Sequence, residues 1–384
     1  MKSNKIYGTA LAVLFACFSS PASLFALNWV DGGEFAITSG LATSEVTTCF
    51  NSSTNQVFAV WGGPTELPNY ATFQNGTWTN GVNFSTKHIH RNIYCCNFNA
   101  FSQVVATWAD SDNVDDLASA YFQSGSWTNV ADLASPITAD AYPFQFGNGG
   151  QVVATWRSIG APTYATFNGT MWSAASGFGS GGADGNIYSC YDTFQGVLVA
   201  TWQDGTSKPH YAIYNGTIWT TDAEFLPLVG TSSDIFPCYN SASQQIVATW
   251  VDSNGFPHSA TFDGISTWTD GGTFATTSGT PQSNIICCYD SVNNLVVATW
   301  ADGNTLPHYA TLQNGVWTDG GTFATSNGGV NGGNSSVFPV YNSAIGQVVA
   351  TWQDSVGYPH YAYTISTTSS SPLRLFTRPV YRIR

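Results

Sequence analysis

Four histidines in this chain return to one place in a repeated unit, each with an aspartate. His210, His258, His308 and His360 follow a proline, and Asp204, Asp252, Asp302 and Asp354 lie six residues earlier, two past a tryptophan. The units without the histidine carry Asn69, Ala118 or Thr163 there, and among them only Asp110 keeps the aspartate. An imidazole facing a carboxylate can form a charge-assisted hydrogen bond. As a structural device that bond is a hairpin clasp ordering a loop. As a functional device the eight residues would be a ring of ligand or metal sites, with aspartate and neutral imidazole as ligands. One aspartate and one histidine are few ligands for a tight metal site, so the clasp takes precedence. "HIHR" (88–91) offers a second histidine pair, His88 and His90, on a connector. They could share a strand face around a metal, or simply be solvated.

The elements that must position these residues show in the tryptophans. The 14 tryptophans form two series of seven, spaced 45 to 52 residues apart: Trp61, Trp108, Trp156, Trp202, Trp250, Trp300 and Trp352, and Trp29, Trp78, Trp127, Trp172, Trp219, Trp268 and Trp317. A period of this size marks a repeat architecture. Within a unit, runs such as "NIICCYD", "NLVVATW" and "PHYATLQ" (between 284 and 313) are rich in β-branched and aromatic residues and punctuated by Gly, Asn, Asp and Ser. Asn-Gly at Asn75, Asn168 and Asn215 suits tight hairpins. The second run of each unit is unbroken in its apolar character, as a strand covered on both faces would be.

These features predict an all-β chain: a seven-bladed β-propeller of four-stranded antiparallel blades, with the tryptophans packed between blades. The last unit (348–366) lacks a fourth-strand tryptophan, while the first tryptophan, in "LNWVDGGEF" (27–35), has no unit before it. Residues 27–30 are therefore expected to complete the final blade and remove an open edge. The Asp–His pairs then fall on the second-to-third-strand hairpins, on the same face as the long Gly- and Ser-rich connectors, where binding usually resides. "DGG-x-F" recurs at Asp31, Asp270 and Asp319 and reads as a turn re-anchored through Phe35, Phe274 and Phe323.

Residues 1–26 read as an export signal, with Lys2 and Lys5 before the short apolar run "ALAVLFACF" and candidate cleavage after Ala22 or Ala26. Lipidation at Cys17 is an alternative. The expected order is signal (1–26), propeller (27–366) and a basic tail (367–384), in a secreted or cell-surface monomer without a transmembrane segment. The ring keeps Lys87, Arg91, Arg157 and Lys208 against all 23 acidic residues, a formal charge of −19. That excludes nucleic acid as a partner. It suits a cationic partner or a divalent cation such as calcium, although the sequence implies no cofactor. The tail, with Arg374, Arg378, Arg382 and Arg384, has the opposite sign. It could lie on the ring or touch lipid headgroups, or it could be a solvated end. Seven cysteines follow the signal. Cys49, Cys96, Cys190, Cys238 and Cys288 occupy a slot that holds Phe144 or Val340 in other units, so they read as buried thiols. Cys95–Cys96 and Cys287–Cys288 could alternatively form vicinal bridges.

The Asp–His device resembles that of WD40-type propellers, although the Gly-His and Trp-Asp spacing of that family is absent. The repeated Trp and Asp-Gly turns resemble the Asp-box of sialidase-type propellers, without its Ser-x-Asp-x-Gly-x-x-Trp pattern. Sialidase-like chemistry implies an arginine cluster, and outside the tail only Arg91 and Arg157 exist. No nucleophile elbow or metalloprotease helix motif is present. The sequence therefore points to a non-enzymatic, lectin-like binding module for a carbohydrate or protein ligand. A glycoside hydrolase with an unrecognised acidic pair, or a structural coat protein, are the alternatives.

Overall fold

The computed structural model describes residues 26–365, less 113–115, 134–136, 148–149, 180–181, 227, 278, 326–328 and 333–334. The expected signal and the basic tail therefore lie outside the described residues, apart from Ala26. Seven antiparallel sheets form the ring. Blade 1 starts with Thr47–Asn51, Gln56–Gly62 and Pro68–Gln74, and its outer strand is split between Thr77–Trp78 and Val82–Asn83. The innermost strands of blades 2 to 7 are Tyr94–Phe98, Tyr142–Phe146, Tyr188–Asp192, Phe236–Asn240, Ile286–Asp290 and Phe338–Asn342. Blade 6 continues through Leu295–Ala301, Pro307–Gln313 and Val316–Thr322.

Asn28–Glu34 pairs with Pro359–Ile365 and closes the ring, with Trp29 opposite Thr364. The first strand of the described chain thus finishes the last blade, as expected. Second strands are buried on both faces; in blade 6 all seven residues from Leu295 to Ala301 are buried. Their tryptophans, Trp61 to Trp352, are all fully buried.

The DGG-x-F turn joins one blade to the next. Phe274, past the outer strand of blade 5, stacks on Trp317 of blade 6 at 4.0 Å and meets Trp300 edge-on at 6.0 Å. Phe35 does the same to Trp78 and Trp61 of blade 1, and Phe323 to Trp29 and Trp352 of blade 7. Phe84, Phe178 and Phe225 repeat the wedge without a DGG. Into blade 3 the wedge is Leu133, packed with Trp172 and Trp156. Each blade thus clamps its neighbour's two tryptophans through one apolar side chain.

All seven cysteines among the described residues are free thiols, buried except for the half-buried Cys288. Equivalent slots are a blade apart, but non-equivalent ones touch. Cys49 packs in one cluster with Cys95 of the next blade, and Cys238 with Cys287. No helix among the described residues is long and apolar enough to cross a membrane.

Candidate functional site

Second-to-third-strand hairpins and the blade connectors share one face, the loop face. Isolated bridges join connector residues Ile89, Ala183, Thr231 and Val330 to Asp110, Asp204, Asp252 and Asp354. The repeated aspartates organise these hairpins. Asp302 Oδ1 accepts the backbone N–H groups of Asn304 (2.8 Å) and Leu306 (2.9 Å). Asp204, Asp252 and Asp354 hold their hairpins the same way.

Each histidine stands directly opposite its second-strand tryptophan: Trp202–His210, Trp250–His258, Trp300–His308 and Trp352–His360. In the last three blades the imidazole lies 4.8 Å from the indole, ring centre to ring centre. Its Nδ1 faces the hairpin aspartate across a gap longer than a hydrogen bond: 3.8 Å to Asp252, 4.0 Å to Asp302 and 3.7 Å to Asp354. The shorter bond goes elsewhere. Nε2 donates to Asp270 at 2.8 Å, to Asp319 at 2.6 Å and to Asp31 at 2.8 Å. These are the aspartates of the DGG turns, which sequence reading had not joined to the histidines. Blade 4 varies the theme: His210 lies 3.3 Å from both Asp204 and Asp222. His258, His308 and His360 are buried, so ligand access to them is poor.

The two glycines of the turn have separate reasons. The aspartate also accepts the N–H of the second glycine, as in Gly321 to Asp319 at 2.9 Å, where φ is +82°. The first glycine, Gly320, sits where a β-carbon would fall inside the Tyr309 ring. Between them the register slips by a bulge.

At the centre of the loop face is an open bowl of about 820 Å³. Its floor is a belt with one residue per blade, two positions before each innermost strand: Glu45, Asn92, Asp140, Asn186, Asp234, Asn284 and Ser336. Carboxyl and amide side chains alternate around most of it. Every belt side chain but that of Ser336 accepts the backbone N–H of its counterpart one blade earlier: the Glu45 N–H donates to Asn92 (3.1 Å), Asn92 to Asp140 (3.2 Å), Asp140 to Asn186 (2.9 Å), Asn186 to Asp234 (2.9 Å) and Asp234 to Asn284 (3.3 Å). Ser336 N–H donates to Glu45 Oε1 at 3.1 Å across the ring closure.

Below the belt, Tyr94, Tyr142, Tyr188, Phe236, Ile286 and Phe338 form one apolar plug, so the bowl has a closed floor. The Tyr94 hydroxyl lies 3.3 Å from both Glu45 Oε2 and Asp140 Oδ2, and 3.1 Å from the Tyr188 hydroxyl. Burial pushes the Glu45 carboxyl up to about 8, against the pull of its bond from Ser336. Burial likewise lifts Asp140 to about 6 and raises Asp234. The walls are mostly neutral and polar: Ser44, Ser233, Ser283, Gln282, Asn331 and Gln353, with Arg91 and His90 on one side. His88 instead bonds Asp112 at 2.9 Å, so the two histidines of the connector part company. No cluster of three or more metal-ligating side chains exists among the described residues.

The bowl's floor was missed because its members differ in type and sit on connectors of unequal length. The signal that could have found it is the polar residue two places before every inner strand.

No family model and no curated sequence matches the chain. Solved structures do. The BP39L lectin from Burkholderia pseudomallei superposes with a TM-score of 0.73 at 15% identity, covering 85% of this chain and 97% of that one. The Aleuria aurantia lectin, described as a six-bladed propeller with a novel fucose recognition mode, gives 0.51 at 14% identity over 73% and 97%. A WD40 domain from Toxoplasma gondii coronin gives 0.58 at 11% over 88% and 86%. What is shared is the propeller fold.

Proposed function

We propose that the chain is an exported carbohydrate-binding propeller whose bowl takes a hydroxyl-rich glycan. The observation that carries this reading is the chemistry of the bowl: neutral hydroxyl and amide walls, with Arg91 and His90 exposed on one side, above the polar belt. Such groups match sugar hydroxyls as donors and acceptors, and they orient a ligand without the cost of burying its charge. The fold it shares with lectins supports the reading. So does the signal-like 1–26 segment, as regards export. A glycan array on the purified protein tests it. Retained glycans should be lost roughly ten-fold or more, over 1.4 kcal/mol, in Arg91→Ala and Gln282→Ala variants of unchanged thermal midpoint. An array without signal, or full retention by both variants, refutes it.

One observation favours a second reading, a glycoside hydrolase. Glu45 and Asp140 flank one tyrosine hydroxyl with carboxyls raised to different levels, as an acid/base pair requires. Against it, both are buried and both hold backbone N–H groups of neighbouring blades. Turnover of aryl glycosides that disappears in Glu45→Gln would establish the hydrolase over the lectin.

A further inference from the structure

The inner strands carry a second ring-wide pattern besides the belt. Cys49, Cys96, Cys190, Cys238 and Cys288 are each the third residue of their inner strand. The second residue, from blade 1 to blade 7, is Thr48, Cys95, Pro143, Ser189, Pro237, Cys287 and Pro339. Successive residues of a strand point to opposite faces, so the third residue looks toward the following blade and the second toward the preceding one. The packing follows this rule. Cys95 lies in the seam with blade 1, and Cys96 in the seam with blade 3 beside Val152 and Phe167. Cys287 lies in the seam with blade 5, and Cys288 packs toward Val348 and Tyr341 of blade 7.

Two seams therefore bring sulfur to sulfur. The Cys49 thiol has Cys95 as a hydrogen-bonding neighbour, and the Cys238 thiol has Cys287. The Cys287 sulfur also lies 3.5 Å from the Phe236 carbonyl oxygen and 3.7 Å from that of Val247. Phe236 is two residues before Cys238, and Val247 is directly opposite it in the hairpin. Both contacts hold the Cys287 sulfur beside the Cys238 backbone. The blades that follow Cys96, Cys190 and Cys288 carry Pro143, Pro237 and Pro339 at the second place, with no sulfur to pair.

We propose that Cys49 with Cys95, and Cys238 with Cys287, are two oxidation sites that close as disulfides across the seams between blades 1 and 2 and blades 5 and 6. Cys96, Cys190 and Cys288 stay thiols. Bridges between the sequence neighbours Cys95 and Cys96, or Cys287 and Cys288, are disfavoured by the same alternation, which sends the two sulfurs to different seams. The oxidant is a small disulfide such as oxidised glutathione, acting while the blades close and before the sulfurs are buried. One cysteine thiolate attacks it, forming a mixed disulfide and releasing one glutathione thiolate. The facing cysteine thiolate then attacks the protein sulfur of that bond and releases the second. Each bridge takes two electrons and two protons from the protein and leaves two molecules of reduced glutathione. The bridged blades are also those joined in the belt by the Glu45 N–H to Asn92 and the Asp234 N–H to Asn284. Oxidation therefore bolts the ring beneath two sides of the bowl.

Refolding of the reduced chain lacking 1–26 in a glutathione redox buffer, then denaturation and alkylation, tests the proposal. Mass spectrometry should count three alkylated thiols, against all seven in a chain folded under excess reductant, and peptide mapping should find both cross-blade links. A Cys96→Ser/Cys288→Ser variant should form both links and a Cys95→Ser/Cys287→Ser variant neither. Ser189 fills the second place in blade 4, so serine suits that position, and circular dichroism checks that both variants fold. Each link should raise the folded-to-unfolded ratio by roughly 100-fold. The urea midpoint of the oxidised parent should accordingly exceed that of the reduced parent, with no such difference in Cys95→Ser/Cys287→Ser. Seven thiols after refolding in the redox buffer, the absence of either link, a vicinal or other pairing, or equal midpoints for the oxidised and reduced parent would overturn the proposal.

Discussion

His308 Nε2 lies 2.6 Å from Oδ1 of Asp319, eleven residues further on in the outer strand of blade 6. That bond ties the third strand to the outer strand at the DGG bulge. Nearby, Asp302 orders the preceding hairpin. Because His308 is buried, removing it leaves the Asp319 carboxylate without its closest side-chain partner. His308→Ala should lower stability by about 1–3 kcal/mol, read as a shift in urea midpoint at constant m-value. Glycan retention should not change. An unaltered midpoint with lost binding would move the pair from the scaffold into the site.

The sequence showed the Asp–His recurrence because those two residues keep a fixed six-residue spacing. The nearer partner was illegible for a physical reason: its spacing varies. Asp319 is eleven residues from His308, Asp270 is twelve from His258, and the partner of His360 is Asp31 at the opposite end of the chain. Ring closure was legible for the converse reason. The unpaired Trp29 and the incomplete last unit are both visible without coordinates. The belt from Glu45 to Ser336 joins residues of different type, one per blade and nearly 50 apart, so the only mark they share is a polar residue two places before each inner strand.

The Phe wedge predicts a graded series at Phe274. Truncation to Ala removes a buried ring stacked on Trp317 and should cost about 3–5 kcal/mol. Leu133 fills the equivalent place before blade 3, so Phe274→Leu should recover more than half of that loss. Thermal midpoints of the two variants decide it. Equal loss in both would mean that the stacking geometry, and not the filled volume, joins the blades.

The two glycines of DGG should respond in different ways. Gly321→Ala forces an L side chain to φ of +82° with nothing within 4 Å of the new carbon, which should cost about 1 kcal/mol. Gly320→Ala drives a carbon into the Tyr309 ring, so it should cost more, and Tyr309→Ala in the same chain should relieve part of that cost. A double-mutant cycle measures this coupling. Additive effects would show that the ring is not what excludes the side chain.

Thiol accessibility follows from burial. Burial pushes the thiols of Cys49, Cys96, Cys190, Cys238 and Cys288 well above the usual range, so little reactive thiolate is present at neutral pH. In the chain lacking 1–26, an aromatic disulfide reagent should report almost nothing before denaturation and all seven thiols after it. A smaller final count would reveal a bridge between touching pairs such as Cys49 and Cys95.

The belt makes stability depend on pH with a definite sign. Burial raises Glu45 from 4.5 to about 8, so the folded chain binds its proton more tightly than the unfolded chain does. Below pH 4.5 both states are protonated and the full contribution is present. As pH rises from 4.5 toward 8 the unfolded chain ionises while the folded carboxyl holds its proton, and stability is lost progressively. Asp140, raised from 3.8 to about 6, adds the same trend over its own window. Glu45→Gln keeps an acceptor for Ser336 N–H and cannot ionise. Urea midpoints measured from pH 5 to 8 should therefore fall with pH in the parent chain and fall less steeply in Glu45→Gln, with the gap between the two curves widening steadily from pH 5. Parallel curves would mean that Glu45 is ionised in the fold across this range and that the belt carries its charge openly into the bowl.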